Sequence, residues 1–306
     1  MTTSEPLQID RPADLDELVA AVGSAGPVVA LGSGSHQDVG GVPDAAARRV
    51  VAPAGVRSYD PAEMTVRCSV GTTVAELDEV LGAAGQTCPL DPADRTRTVG
   101  GVLGLGRSGP RRLRHGPIRD LVLQVRFVSA WGELSTAGGP TVKNVSGFDL
   151  CRLLVGSLGT LGVLGEVVLR CLPRPPEARW FAGTADPFAL RDRLHRPSSI
   201  LWDGTTTWLL LEGSAAEVRA EATVAGLDEV AGPPPMPSAG RRSVRPRELR
   251  DLRGSFLAEV GVGVVHLDGP VAGRPAPAEV LLHDEVKRLL DPDGRFAPGR
   301  ELWGDR

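Results

Sequence analysis

Three runs of small residues carry most of the chemistry this chain can be read for. The first follows an apolar stretch, Val28 to Leu31, and consists of Gly32, Ser33, Gly34 and Ser35, with His36 next. The second is Thr98, Val99, Gly100, Gly101, Val102, Leu103, Gly104, Leu105, Gly106, with Ser108 and Gly109 shortly after it. The third is Gly156, Ser157, Leu158, Gly159, Thr160, Leu161, Gly162, Val163. Small side chains let backbone N–H groups converge on phosphate oxygens and let backbone approach a flat ring. Any one run also fits a plain turn. The first is not a Rossmann fingerprint, because its third glycine is missing and no helix begins at once after it. Three such runs, each beside a strand pattern, point to one extended ligand, and a dinucleotide such as FAD has that length with a diphosphate at its middle.

Reactive side chains are sparse. There are five histidines. His266 lies in an apolar strand pattern, which suits a buried structural histidine and also a weak candidate for a catalytic base. Arg107, Arg111, Arg112 and Arg114 could hold a phosphate, a carboxylate or an acidic partner, or form a solvated loop face. Arg241, Arg242, Arg245, Arg247, Arg250 and Arg253 read as a solvated loop and helix. Arg119 and Asp120 read as a structural pair, and Lys143 and Asn144 receive no role. Cys68, Cys88, Cys151 and Cys171 are far apart with no C-x-x-C pair, so no iron–sulfur or zinc ligand set and no metal site is expected, only reduced, mostly buried thiols.

The elements that must position these groups follow from periodicity. Pro12 suits the first turn of a helix carrying Leu15, Leu18, Val19 and Val22, closed at Gly23 or Gly26. Strands are expected at 28–31, 49–52 and 65–70. Thr73 and Glu76 form a capping box for a helix with Val74, Leu77, Val80 and Leu81 inward. Residues 85–119 read as a long Gly/Arg loop before a strand at 121–128. A helix at 147–155, a strand at 163–172 and a stiff Pro-Arg-Pro-Pro break at 173–176 follow. Beyond the break the pattern gives a smaller α/β unit with helices near 187–195 and 215–224, strands near 179–182, 207–211 and 261–267, and a Pro-rich loop at 232–240. A last helix is expected at 278–290.

Composition bounds the function classes. A chain of 306 residues accommodates two domains. With 34 basic and 38 acidic residues the net charge is −4, which argues against a general nucleic-acid binder. A hydrophobic content of 42% is globular, and with 4% aromatics the core must be Val, Leu and Ala. Glycine and proline are abundant, 38 and 26 residues, in blocks between periodic segments, so they read as ordered loops. The polar start of the chain and the lack of any apolar run near about 18 residues predict neither a secretory signal nor a membrane span. The placement expected is cytoplasmic, or peripheral at the inner membrane face through partners.

The segments T-V-G-G at 98–101, S-G-P-R-R at 108–112 and R-D-L-V-L-Q-V at 119–125, with T-V-K-N-V-S-G-F-D-L at 141–150 and the G-S-L-G-T-L-G-V-L block after it, resemble one branch of a known superfamily. The superfamily is the vanillyl-alcohol oxidase and p-cresol methylhydroxylase (PCMH) type of FAD-binding protein, and the branch is the FAD-binding subunit of bacterial glycolate oxidase. The strong likeness covers roughly residues 90–172, and the closing D-P-D-G-R-F-A-P-G-R at 291–300 adds to it.

The resemblance implies an α+β fold: a PCMH-type FAD-binding domain over 1–173, made of a pyrophosphate-side subdomain 1–53 and a second subdomain 54–173. A cap for substrate or partner would span 174–275, and a C-terminal segment 276–306 would return to the FAD domain. Gly32, Ser33, Gly34 and Ser35 would meet the diphosphate. Val99, Gly100 and Gly101 would line the flavin or ribityl chain, with Ser108 and Gly109 nearby, and Gly159, Gly162 and Val163 would present backbone. Leu31 and Ser33 replace the family's Arg and a Gly, and Ala297 replaces an Asn, which weakens a polar contact there. Ser35, not His36, falls where some relatives attach the flavin, so the FAD is expected to be non-covalent.

The implied activity is oxidation of glycolate or a related small 2-hydroxy acid. The partners implied are a catalytic FAD subunit and a separate iron–sulfur subunit that receives the electrons, with no nucleic acid. Two alternatives stand beside this: a self-sufficient FAD-linked oxidase or dehydrogenase of another alcohol or sugar, and a non-catalytic scaffold that keeps the fold.

Overall fold

The computed structural model describes residues 9–139, 149–271 and 276–301, and the chain divides into two compact units. The first comprises Met1–Arg107, Ile118–Pro173 and Arg274–Gly304; the second comprises Ser108–Pro117, Arg174–Gly273 and Asp305–Arg306.

The first unit opens with β1 (Ile9–Asp10), α1 (Leu15–Val22), β2 (Val28–Leu31) and β3 (Arg48–Val51). The strands pair in parallel in the order β1-β3-β2. Helix α1 is capped by Asp14, whose side chain accepts from the Glu17 N–H at 2.9 Å, so Pro12 lies before the helix and not in its first turn. The helix buries Leu18 and Val22 and stops at Gly23, φ +57°.

A second sheet follows: β4 (Val56–Asp60), β5 (Thr65–Ser69), α2 (Val74–Gly82), β6 (Gln86–Thr87), α3 (Val99–Leu105), α4 (Arg112–His115, in the second unit), β7 (Val122–Val128), β8 (Leu134–Gly138), α5 (Leu150–Leu154), β9 (Val163–Arg170) and β10 (Leu172–Pro173). Its five main strands are antiparallel in the order β4-β5-β9-β7-β8. The Thr73–Glu76 capping box opens α2, which buries Val74, Leu77 and Leu81, but Val80 faces outward at 37% exposure.

The stretch read as one long loop, 85–119, contains α3. That helix forms despite three glycines because Thr98 caps it and Val99, Val102 and Leu103 fall on one buried stripe. These side chains join Leu77, Leu81, Ile118, Leu154 and Leu169 in one core. Each fully buried leucine there contributes about 2 kcal/mol.

The second unit is built on a seven-stranded antiparallel sheet with helices packed against it. Its elements are β11 (Glu177–Gly183), α6 (Pro187–Arg193), β12 (Ser199–Trp202), β13 (Thr207–Gly213), α7 (Ala215–Ala225), β14 (Asp228–Val230), β15 (Gly240–Ser243), β16 (Leu257–Glu259) and β17 (Val264–Leu267), ordered β14-β11-β13-β12-β16-β17-β15. Phe181, Ile200, Leu209, Leu211, Ala258 and Val265 pack from the sheet against Leu190 of α6 and Val218 of α7. The chain then returns to the first unit as α8 (Pro277–Leu290).

The closing segment docks on β2. Val28 donates to the Arg295 carbonyl and Ala297 donates to the Val28 carbonyl, each at 2.8 Å, with Phe296 fully buried. Arg295 donates to the carbonyls of Val22, Gly23 and Ala25, and Arg48 donates to those of Ala21, Val22 and Ala25. Two cations thus satisfy the open carbonyls where α1 ends.

Candidate functional site

The structure brings the three glycine runs together within the first unit. Residues 32–35 leave β2 as an exposed loop, with Gly34 at φ +81°. This loop lies against the start of α3. A Cβ on Gly32 would stand 2.7 Å from Thr98 Oγ1 and 3.4 Å from Gly101 Cα. Thr98 Oγ1 meanwhile accepts from the Gly101 N–H at 3.1 Å. One threonine, whose role the sequence reading had missed, therefore caps the helix and sets how closely the first run approaches the second. A threonine immediately before a helix was the available signal.

At the other end of α3 the third run takes over. Gly156 donates to Leu103 O and Leu158 to Gly104 O, each at 2.9 Å. A Cβ on Gly106 would meet Gly156 Cα at 2.6 Å, so the Gly106 backbone leaves no room for a side chain, while Gly156 is held to glycine by its φ of +87°. Gly159, φ +73°, lies beside Ala30 of β2. Gly100 donates to Val70 O at 2.8 Å and is closed off by Val70, whereas Gly101 is exposed and a Cβ there would meet only Thr98 Oγ1, at 3.1 Å. Gly162 and Val163 are enclosed: the Phe127 ring fills the space beside Gly162, and Val163 is 1% exposed in the core with Val28 and Val128.

The closing segment reaches this cluster. Arg300 Nη1 donates to Leu158 O at 3.1 Å and Nη2 to Gln37 O at 2.9 Å. Lys287 Nζ donates to Thr160 O at 2.7 Å and to the Asp291 carboxylate. Ala297 holds φ +45°, a backbone region that asparagine adopts more readily than alanine.

The electrostatics of the cluster are positive. Burial, then Arg97 and Arg107, push His36 below its ordinary value of 6.5, with Asp38 opposing. The Nε atoms of Arg97 and Arg300 are buried and donate to no acceptor. Buried guanidinium N–H groups left unmatched beside exposed glycine backbone fit a ligand with a phosphate-bearing middle.

Other expected site residues lie in the second unit. Ser108 and Gly109 precede α4, where Gly109 O accepts from the Arg112 N–H at 3.2 Å. The arginines beside them are half-buried and converge on Glu212. Arg114 donates to its carbonyl at 2.6 Å, Arg111 stands 3.7 Å from its carboxylate and His115 3.8 Å, an ion-pair distance rather than a hydrogen bond. His266 Nε2 is 2.7 Å from Oε1 of Glu259, a carboxylate side chain only 3% exposed.

Asp120 pairs with Arg152 at 3.0 Å and not with Arg119. Arg250 stacks over Phe188 at 3.9 Å, and Arg245 pairs loosely with Glu248. Lys143 and Asn144 lie outside the described residues. All four cysteines are buried and free, and burial pushes the thiols of Cys68 and Cys171 up to about 12. Among the described residues no helix is long and apolar enough to cross a membrane.

The chain is similar to known proteins. Residues 6–138 match the family described as FAD binding domain. The chain is 30% identical to glycolate oxidase subunit GlcE of Escherichia coli (strain K12) over 338 aligned residues, covering 94% of this chain and 95% of that protein. Matches to other relatives are shorter. D-lactate dehydrogenase of Archaeoglobus fulgidus is 39% identical over 35% of this chain and 24% of that protein. Glycolate oxidase subunit GlcD of Bacillus subtilis (strain 168) is 32% identical over 39% of this chain and 26% of that protein. Among solved structures, alkyldihydroxyacetonephosphate synthase superposes with a TM-score of 0.71 at 16% identity, over 95% of this chain and 75% of that one, a likeness of fold.

Proposed function

Because the chain belongs to the family of the FAD-binding glycolate oxidase subunit GlcE, with the PCMH-type fold, we propose that it serves within a complex that oxidises a small 2-hydroxy acid. It is an FAD-dependent oxidoreductase subunit, and FAD is its cofactor. The observation that carries the reading is the convergence of the loop 32–35, the start of α3 and the loop around Gly159 beside unmatched guanidinium N–H groups, in a chain that aligns end to end with GlcE.

In this reading Gly32, Ser33, Gly34 and Ser35 offer backbone to the diphosphate, and Arg97 and Arg107 supply positive potential beside it. Gly101 and Gly159 let backbone lie close to the rest of the cofactor. Val99, Gly100, Gly162 and Val163 support from behind. Thr98 holds the spacing. When bound, FAD supplies the two-electron acceptor for the substrate's CH–OH carbon.

The electrons leave for a separate iron–sulfur subunit. Four buried thiols with no paired spacing, two of them held near 12, are unsuited to ligating a cluster in this chain. A GlcD-like FAD subunit is the second partner, and the assembly is cytoplasmic or held at the inner membrane face through its partners.

Gentle purification followed by an absorbance spectrum tests the reading. A flavin band is expected, bleached by glycolate or lactate once the partner subunits are added. A colourless chain that refuses added FAD at micromolar levels overturns it. Bleaching of the isolated chain, with turnover on oxygen or a dye, would instead establish a self-sufficient enzyme. A band that no 2-hydroxy acid bleaches in the assembled complex would establish a scaffold.

A further inference from the structure

The polar groups of the closing segment are matched almost everywhere. Asp291, 1% exposed, accepts from Lys287 Nζ and from the backbone N–H groups of Arg295 and Phe296. Arg295 donates to carbonyls at the end of α1. Arg300 differs. Its two bonded nitrogens reach neutral carbonyls, Leu158 O in the third glycine run and Gln37 O just past the first. Its Nε is buried and donates to nothing. Among the described residues no carboxylate lies within ion-pair distance of it; Asp38 acts on it only from further away.

Arg300 is half-buried, with one guanidinium bond at the surface and Nε buried and unmatched, and a partly desolvated cation with neutral acceptors alone is unfavourable. Such a cation is well placed when an anion completes it. The anion would approach from residues 32–35, whose glycine backbone is exposed beside the Gln37 carbonyl that Arg300 holds. Arg97 makes the same point independently, since its Nε is also buried without an acceptor and its charge bears on His36 in the same loop.

We propose that Arg300 is a clasp: it ties the two glycine loops through their carbonyls and completes its charge on the dinucleotide's diphosphate, so that cofactor binding and docking of the C-terminal segment 291–301 are one coupled equilibrium. This rests on the FAD reading of the glycine loops and adds to it a residue and a regulation. The segment is anchored by hydrogen bonds to β2 and to the end of α1 and by the buried Phe296, so a further tie at Arg300 is read as slower opening of its amides.

The test uses the full chain stripped of flavin, with Arg300→Met and Arg300→Lys beside it. FAD and riboflavin affinities are read by fluorescence quenching, and exchange of the Phe296, Ala297 and Arg300 amides is followed with and without ligand. Arg300→Met is expected to weaken FAD binding about 10- to 100-fold while leaving riboflavin, which has no diphosphate, unchanged. Arg300→Lys, which keeps the charge, is expected to lose less. In the unmutated chain FAD, and millimolar inorganic pyrophosphate alone, should slow exchange of the Phe296 and Ala297 amides, a readout that does not depend on either variant folding.

Equal FAD affinity in Arg300→Met and the unmutated chain, equal losses for FAD and riboflavin, or no slowing of exchange by FAD, overturns the clasp. An unmutated chain that binds no FAD at all overturns the cofactor reading first, and the clasp with it.

Discussion

Gly101 and Gly106 show how differently two glycines of one helical run are used. Gly101 carries helical backbone and faces open space apart from Thr98 Oγ1 at 3.1 Å. A leucine there presses on the Thr98 hydroxyl but gains helix propensity. Gly101→Leu is therefore expected to stay folded with a small change in melting temperature while abolishing flavin retention, checked by thermal unfolding and by the absorbance of the purified variant. Gly106 is at φ +68° with Gly156 backbone 2.6 Å from the place of a Cβ. Gly106→Ala combines left-handed strain with a backbone collision and is expected to cost at least about 2 kcal/mol in denaturant unfolding. Residue types alone made these positions look alike; the difference is one of what lies opposite each Cα. The same holds for His266, which sequence could place in an apolar strand but not beside Glu259, seven residues earlier and across the β16–β17 pair.

Among elements, the closing segment 291–301 depends on Asp291, which gathers three donors in a buried position. Asp291→Ala leaves the N–H groups of Arg295 and Phe296 unmatched and is expected to cost about 3 kcal/mol, read by chemical denaturation. In the second unit, α4 is tethered by Glu212. Burial opposes the Glu212 charge, but His115, Ser198 and Arg111 outweigh it and hold the carboxyl below its ordinary 4.5. A depressed acid contributes stability that is complete above the unfolded value and is lost as pH falls through the folded one. Protection of the 108–117 amides relative to free peptide should therefore fall as pH drops below 4.5, and Glu212→Gln should remove that dependence. Sequence patterning found α1, α2, α6 and α7 because their capping side chains and apolar stripes are local. It passed over α3 because glycine content masks a helix whose formation depends on packing against Val70 and the third glycine run.

At the scale of the whole molecule, two units with separate cores share the chain. A cofactor held by the first unit stabilises that unit, by about 2.7 kcal/mol at a hundredfold excess over Kd. Calorimetry is expected to show an FAD-dependent transition and an FAD-independent one; a single transition shifting as a whole would show that the units unfold together. The amino-acid order alone pointed to the kind of ligand and to the capped helices, since glycine runs and caps act over a few residues, and the likeness of whole segments pointed to the branch of the superfamily. Only the tertiary structure decided that Ser108 and Gly109 travel with the second unit, that Gly162 and Val163 stand behind the loop rather than in it, and that Arg300 bridges to Gln37 across 263 positions. Such contacts are set by how sheets and helices pack, and no short pattern encodes which distant backbone a side chain will meet.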